Sequence, residues 1–276
     1  MILLLIFIPY RIEAGHVEIL NRSKNIFSDG VKVYSEDLYI EALNGSESSD
    51  SLELFDNVYL KSKDTELKAN KIIYHTPSKK LFARGDIRIW KKDTIKGDSL
   101  IYYRDKEYGE MIGYVKYISD SITVVGKSGN FTEDTIRIKG RPVFDSPKIK
   151  IISDSITYSI KDSCFLFLSN VQFEGSEIEG NAQLLEHYIN KKHSILLNSP
   201  YIFQKQDSIT GIKIEIDHHL NILNALKGTA INYNEDGRNK VMGDTLIVFY
   251  NENSIDSVIV FKNSCGRFIK NETGIE

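Results

Sequence analysis

The chain has 276 residues, with 35 Lys and Arg against 38 Asp and Glu, and a formal net charge of −3. That balance excludes the strongly basic surface typical of nucleic-acid binders, so no nucleic-acid partner is expected. Only 5 Pro and 3 Met accompany a composition rich in Ile, Val, Tyr, Phe, Ser and Thr, which favours strands over helices.

The chain opens MILLLIFIPYRIEAG, where Ile2–Ile8 is an apolar run ended by Pro9. The run is too short to cross a bilayer, which takes roughly 20 apolar residues. It suits the h-region of a secretory signal cleaved after Ala14, although no Lys or Arg precedes it. A buried first strand fits the same residues. No second apolar run of spanning length occurs downstream, so a soluble body is expected. The polar stretch ALNGSESSDS (Ala42–Ser51) reads as a loop. No linker divides the remainder of the chain, so the expected organisation is a signal over 1–14, one domain over 15–268 and a tail over 269–276.

From ANKIIYH (Ala69–His75) onward one pattern recurs: GDSLIYY (Gly97–Tyr103), GKSGNFT (Gly126–Thr132), SDSITYS (Ser153–Ser159), GNAQLLE (Gly180–Glu186), GIKIEID (Gly211–Asp217) and GDTLIVF (Gly243–Phe249). The sixth place holds Tyr74, Tyr102, Phe131, Tyr158, Leu185, Ile216 and Val248, spaced by 28, 29, 27, 27, 31 and 32 residues. The fourth place holds Ile72, Leu100, Ile156, Ile214 and Leu246, interrupted by Gly129 and Gln183. The fifth place, from Ile73 to Ile247, is mixed and includes Glu215. Side chains alternate across a strand, so places four and six share one apolar face.

A second strand precedes these segments, as DNVYLKS (Asp56–Ser62), GDIRIWK (Gly85–Lys91), GYVKYIS (Gly113–Ser119), SNVQFEG (Ser169–Gly175) and, more loosely, SPYIFQK (Ser199–Lys205). Its apolar alternates are Val58 and Leu60, Ile87 and Ile89, Val115 and Tyr117, Val171 and Phe173, and Tyr201 and Phe203. Polar steps such as KDT, SDS and QDS separate the two strands, since Asp, Ser and Thr side chains bond the backbone of a turn. The Gly-Asp pairs read as the starts of successive strands. Counted from about residue 30, the unit predicts about sixteen strands. AQLLEHYINKKH (Ala182–His193) is the best helical candidate, but in register it reads as a strand and hairpin. Stacked repeats of this kind cover their apolar face by folding the sheet on itself, and they leave open edges.

No catalytic constellation emerges, and no cofactor or metal is implied; an enzyme is not expected. His16, His75, His187, His193, His218 and His219 lack ligand spacing, and His218–His219 reads as a solvated hairpin tip. The recurring Asp64, Asp93, Asp98, Asp120, Asp154 and Asp244 sit in turn steps. Trp90 alternates with Ile87 and Ile89 and should face outward or sit at a rim. Cys164 and Cys265 fit either a disulfide or two small hydrophobes.

The segments Ala69–Gly113 and Met242–Ser264 resemble the OstA-like family of lipopolysaccharide-transport (Lpt) proteins, typified by LptA, and the cadence covers roughly residues 30–268. The resemblance implies an all-β, elongated antiparallel β-jellyroll, a folded V-shaped sheet with an apolar trough. It implies a periplasmic location, lipopolysaccharide or a similar glycolipid as cargo, and end-to-end strand addition to other Lpt jellyrolls or to itself. The trough would be lined by Val58, Leu60, Ile72, Tyr74, Ile87, Ile89, Leu100, Tyr102, Val115, Phe131, Ile156, Tyr158, Val171, Phe173, Leu185, Phe203, Ile214, Ile216, Leu246 and Val248. A glycan site needs polar groups converging on exposed aromatics, whereas the most regular feature here is an apolar row. Each lipid CH₂ moved into such a row is worth roughly 0.8 kcal/mol. The alternative is a structural or adhesive β-solenoid with no lipid ligand.

Overall fold

The computed structural model describes residues 10–20, 24–35, 38–62, 65–175, 178–234, 237–251 and 255–270. The run Ile2–Ile8, Asp64 and the tail beyond Lys270 lie outside the described residues. The chain forms two compact units, Met1–Gly140 and Arg141–Glu276. Unit 1 holds β1 (Arg11–Leu20), β2 (Lys24–Ser35), β3 (Leu38–Ala42), β4 (Asn44–Ser48), β5 (Ser51–Ser62), β6 (Thr65–His75), β7 (Lys80–Trp90), β8 (Thr94–Tyr103), β9 (Tyr108–Ser119), β10 (Ile122–Phe131) and β11 (Thr135–Lys139). Unit 2 holds β12 (Val143–Asp145), β13 (Ile149–Ile152), β14 (Ser155–Ser159), β15 (Cys164–Gly175), β16 (Glu179–Tyr188), β17 (His193–Leu197), β18 (Tyr201–Gln204), β19 (Asp207–Thr210), β20 (Lys213–Asp217), β21 (Ile222–Asn234), β22 (Gly237–Tyr250), β23 (Ile255–Phe261) and β24 (Cys265–Lys270). Within each unit the strands that pair do so antiparallel, and the helical content among the described residues is a single 3₁₀ turn, Arg104–Lys106. The fold is all-β and antiparallel, as the repeat predicts, and is of the jellyroll class that the family resemblance implies.

What makes the sheet fold is a corner in the middle of each long strand. Asp29–Gly30, Asp56–Asn57, Gly85–Asp86, Ser169–Asn170 and Asn198–Ser199 all have positive φ, between 45° and 90°. Gly113 (φ 88°) and Gly140 (φ 86°) continue the series, so a left-handed kink recurs every 27–29 residues. Such a kink bends a strand and adds residues without changing which face is buried. In β5, Leu52 and Leu54 are buried on one side of the kink and Val58 and Leu60 on the other; β7 does the same with Leu81, Ala83, Ile87 and Ile89. Both halves bury one face, and a sheet covers that face by bending over upon itself.

Side-chain hydrogen bonds cross three such corners, at Gly113, at Ser169–Asn170 and at Lys262–Asn263, the last of which also has positive φ at both residues. The Tyr114 amide donates to Asp98 Oδ2 at 2.9 Å, Asn170 Nδ2 to Asp154 Oδ2 at 2.8 Å, and Asn263 Nδ2 to Asp244 Oδ2 at 2.9 Å. The Gly-Asp pairs are therefore not strand starts. Gly85–Asp86 is a kink inside β7, and Gly97–Asp98 faces the next kink from inside β8.

Two further expectations change for the same reason. Among the described residues strands number twenty-four, not sixteen: β1 and β2 precede residue 30 or straddle it, and several long strands are cut in two at the corner, as β3/β4 are at Leu43 and β17/β18 at Asn198–Pro200. The stretch Ala42–Ser51 is not a free loop. Its centre is β4, recruited by pairing with β2 and β5, and Gly45 lies so close to Leu54 that a Cβ would come within 2.9 Å of its Cδ2. Ala182–His193 is strand and hairpin, as its register required.

Candidate functional site

The buried face of each unit consists of apolar rows that cross the strands. In unit 1 one half of the folded sheet carries Val33, Ile40, Leu60, Leu67, Ile89, Ile95, Tyr117 and Val124, each opposite the next. The other half carries Leu52, Tyr74, Leu81, Tyr102, Gly109, Phe131 and Ile136. Unit 2 repeats the device with Ile156, Phe167, Leu185, Leu196, Ile214, Ala225 and Leu246.

Of the twenty residues expected to line a trough, eighteen are at most 6% exposed. Tyr158 stays on the inner row but is half-exposed, stacked on Phe165 with ring centroids 4.4 Å apart. Phe203 is misplaced: Ile202 is buried (3%), while Phe203 faces out beside Tyr201, rings nearly parallel at 6.5 Å. The kink there is Asn198–Ser199, so the copy aligned with Asp56–Asn57–Val58 begins at Asn198 rather than Ser199. A slip of one residue moves every side chain to the opposite face. The same dipeptide-then-apolar signal marks Asp29–Gly30–Val31–Lys32–Val33, an additional copy whose Val31 and Val33 are 1% and 0% exposed. Leu81, Ala83, Phe165 and Phe167 also belong to the interior and were missed, because the apolar alternation was followed on only one half of each strand.

The interior is filled by the protein's own side chains. Gly109 sits beneath Phe131, where a Cβ would come within 2.2 Å of the ring. Gly97 sits beneath Met111, at 2.4 Å from its Cε. Gln183 lies exposed at the corner of β16, and Glu215 faces outward in an ion pair with Lys213 at 2.5 Å. Neither charge nor amide intrudes on the apolar rows at those positions.

One polar node does interrupt a row. In unit 2 Phe165, His187, Ser194 and Ile216 are consecutive cross-strand neighbours. Ser194 Oγ lies 2.9 Å from His187 Nδ1 and 2.7 Å from His218 Nε2. One hydroxyl proton serves one imidazole while the oxygen accepts from the other. Burial, then the neighbouring His218, pushes the His187 pKa down to about 4; burial also lowers that of His218. His218 is thus tied to Ser194 rather than loose at a hairpin tip, while His219 is exposed. Among the described residues no group of His, Cys, Asp or Glu is arranged to hold a metal. Both cysteines are free; Cys164 is buried, and burial raises its thiol pKa. Among the described residues no helix is long and apolar enough to cross a membrane.

Residues 11–108 match the family described as "LptA/(LptD N-terminal domain) LPS transport protein". No curated protein matches the chain. Among solved structures, the chain is similar to LptH of Pseudomonas aeruginosa, described as the LptA homologous periplasmic component of the conserved lipopolysaccharide transport device. The similarity is 13% identity over 35% of this chain and 76% of that one, with a TM-score of 0.33.

Proposed function

We propose, from the match of residues 11–108 to the LptA/LptD N-terminal lipopolysaccharide-transport family, that this chain is a periplasmic carrier or bridge. Its interior shelters the acyl chains of lipopolysaccharide or a similar glycolipid on the way to the outer membrane. The observation that carries this reading is the unbroken apolar row on each half of unit 1's folded sheet. An acyl chain laid along such a row meets mainly apolar side chains and aromatic rings, at roughly 0.8 kcal/mol per CH₂. The interior is filled, so a chain enters by parting the two halves at the expense of their mutual packing. The carrier performs no bond chemistry in this role.

Partner docking uses the sheet edges. Strand β1 pairs with β2 and strands β23 and β24 pair with β22. Each therefore offers a row of backbone groups to a strand of another Lpt jellyroll or of a second copy.

The test uses neighbouring positions as controls. Tyr102 is 1% exposed on the inner face, and Ile101 is half-exposed on the outer. A photocrosslinking residue at 102 is expected to capture lipopolysaccharide in cells, and one at 101 is not. Equal capture, or none, overturns the reading. The filled interior, with Phe131 pressed on Gly109, favours one second reading: a structural or adhesive β-solenoid with no lipid. That reading expects no adduct at either position.

A further inference from the structure

The outer face of unit 1 carries a cleft of about 620 Å³, within the roughly 300–1,000 Å³ range of small-ligand sites. Its aromatic wall is Tyr59 and Trp90, with ring centroids 6.4 Å apart and planes at 34°. Asn57 and Asn70 line it from the corner, and Glu41, Glu66 and Asp86 add carboxylates. Lys68 Nζ lies over both rings, 5.9 Å and 5.7 Å from their centroids.

These groups meet the requirements of a sugar ring. The C–H face of a pyranose packs on the negative face of an aromatic ring. Its hydroxyls need both donors and acceptors, which side-chain amides supply together and carboxylates and an ammonium supply separately.

A second observation concerns charge. Lys68, Arg88, Lys96 and Lys116 are successive cross-strand neighbours on β6, β7, β8 and β9. Like charges directly opposite one another destabilise a sheet. Arg88 is paired with Asp86 at 3.1 Å, but Lys96 and Lys116, both half-buried, have no carboxylate partner among the described residues. The row starts inside the cleft at Lys68 and leads away from its carboxylates. A ligand that stabilises it carries a sugar ring at one end and an anionic group two to three strand spacings along, roughly 10–14 Å away.

We propose that the Tyr59–Trp90 cleft and the Lys68–Lys116 row form a binding site for an anionic saccharide. One ring sits on the two aromatics, and a phosphate or carboxylate on a further sugar of the same oligosaccharide lies against Lys96 and Lys116. The site uses the face opposite the apolar interior, so it and the acyl-chain reading can fail separately. The shared chemistry fits a glycolipid's own phosphorylated sugar or another acidic glycan, and a panel of saccharide probes separates the two.

Trp90 is the chain's one tryptophan, so intrinsic fluorescence reports on the cleft directly. The full chain is titrated with deacylated lipopolysaccharide oligosaccharide, the same oligosaccharide dephosphorylated, oligogalacturonate, maltohexaose, and phosphatidylglycerol vesicles. A saturable shift with the phosphorylated oligosaccharide is expected, weakened at least about tenfold by dephosphorylation or by Lys96→Glu/Lys116→Glu. Tyr59→Ala should weaken it by a similar factor. Saturable, lysine-dependent binding of oligogalacturonate alone supports the site and assigns it to an acidic glycan other than the glycolipid. No shift with any saccharide, equal binding of maltohexaose, or a response to vesicles alone overturns the proposal. Circular dichroism and the unliganded Trp90 emission of each variant establish that it has folded.

Discussion

At Gly85 the backbone stands at φ 77°, and a Cβ would come within 2.6 Å of the Asn70 amide nitrogen. Gly85→Ala therefore combines a left-handed alanine with a clash. It is expected to cost more than about 1 kcal/mol, measured as a fall in urea midpoint at unchanged m-value. His187 illustrates a different residue-scale cost. Its folded pKa of about 4 lies below the ordinary value of 6.5, so the unfolded chain binds more protons between those two pH values. Its stabilising contribution is complete above about pH 6.5 and is lost as pH falls toward 4, at most about 1.4 kcal/mol per pH unit for one proton. Denaturation midpoints measured from pH 7 to pH 4 should show that loss, and His187→Phe should flatten it.

At the scale of the element, register decides function. The β18 strand buries Ile202 and exposes Phe203. Ile202→Ala is expected to destabilise by about 2–5 kcal/mol, and Phe203→Ala by well under half as much, when both are compared in chemical denaturation. The reverse order would restore the register in which Phe203 lines the interior. The β4 strand teaches a complementary point. Asn-Gly-Ser-Glu-Ser has no strand character of its own, yet β2 and β5 flank it and supply both ladders of hydrogen bonds. Tertiary pairing overrides weak local preference.

At the scale of the whole molecule, the family match covers residues 11–108, all in unit 1. Unit 2 is built by the same rule, with kinks at Ser169–Asn170 and Asn198–Ser199 and its own apolar rows. If both units carry acyl chains, a photocrosslinker at Leu246, fully buried, should capture lipopolysaccharide as Tyr102 does, while Ile247 on the outer face should not. Capture at 102 without capture at 246 would confine the cargo to unit 1. The single-domain organisation over 15–268 and the signal over 1–14 stay proposals at this scale.

The antiparallel β class, the repeat of about 28 residues and most of the inner face were legible from the sequence alone. Alternation of apolar and polar residues follows directly from the two-residue period of a strand, as at Ile72 and Tyr74 or Leu246 and Val248. The role of the Gly-Asp pairs was not legible, because a left-handed dipeptide reads the same whether it starts a strand or folds one in the middle. Nor was the meeting of His187 with His218, thirty-one positions apart, or the row of Lys68, Arg88, Lys96 and Lys116. Each of those groupings depends on which residues stand opposite across neighbouring strands, and only the closed hydrogen-bond ladders of the folded sheet set that register.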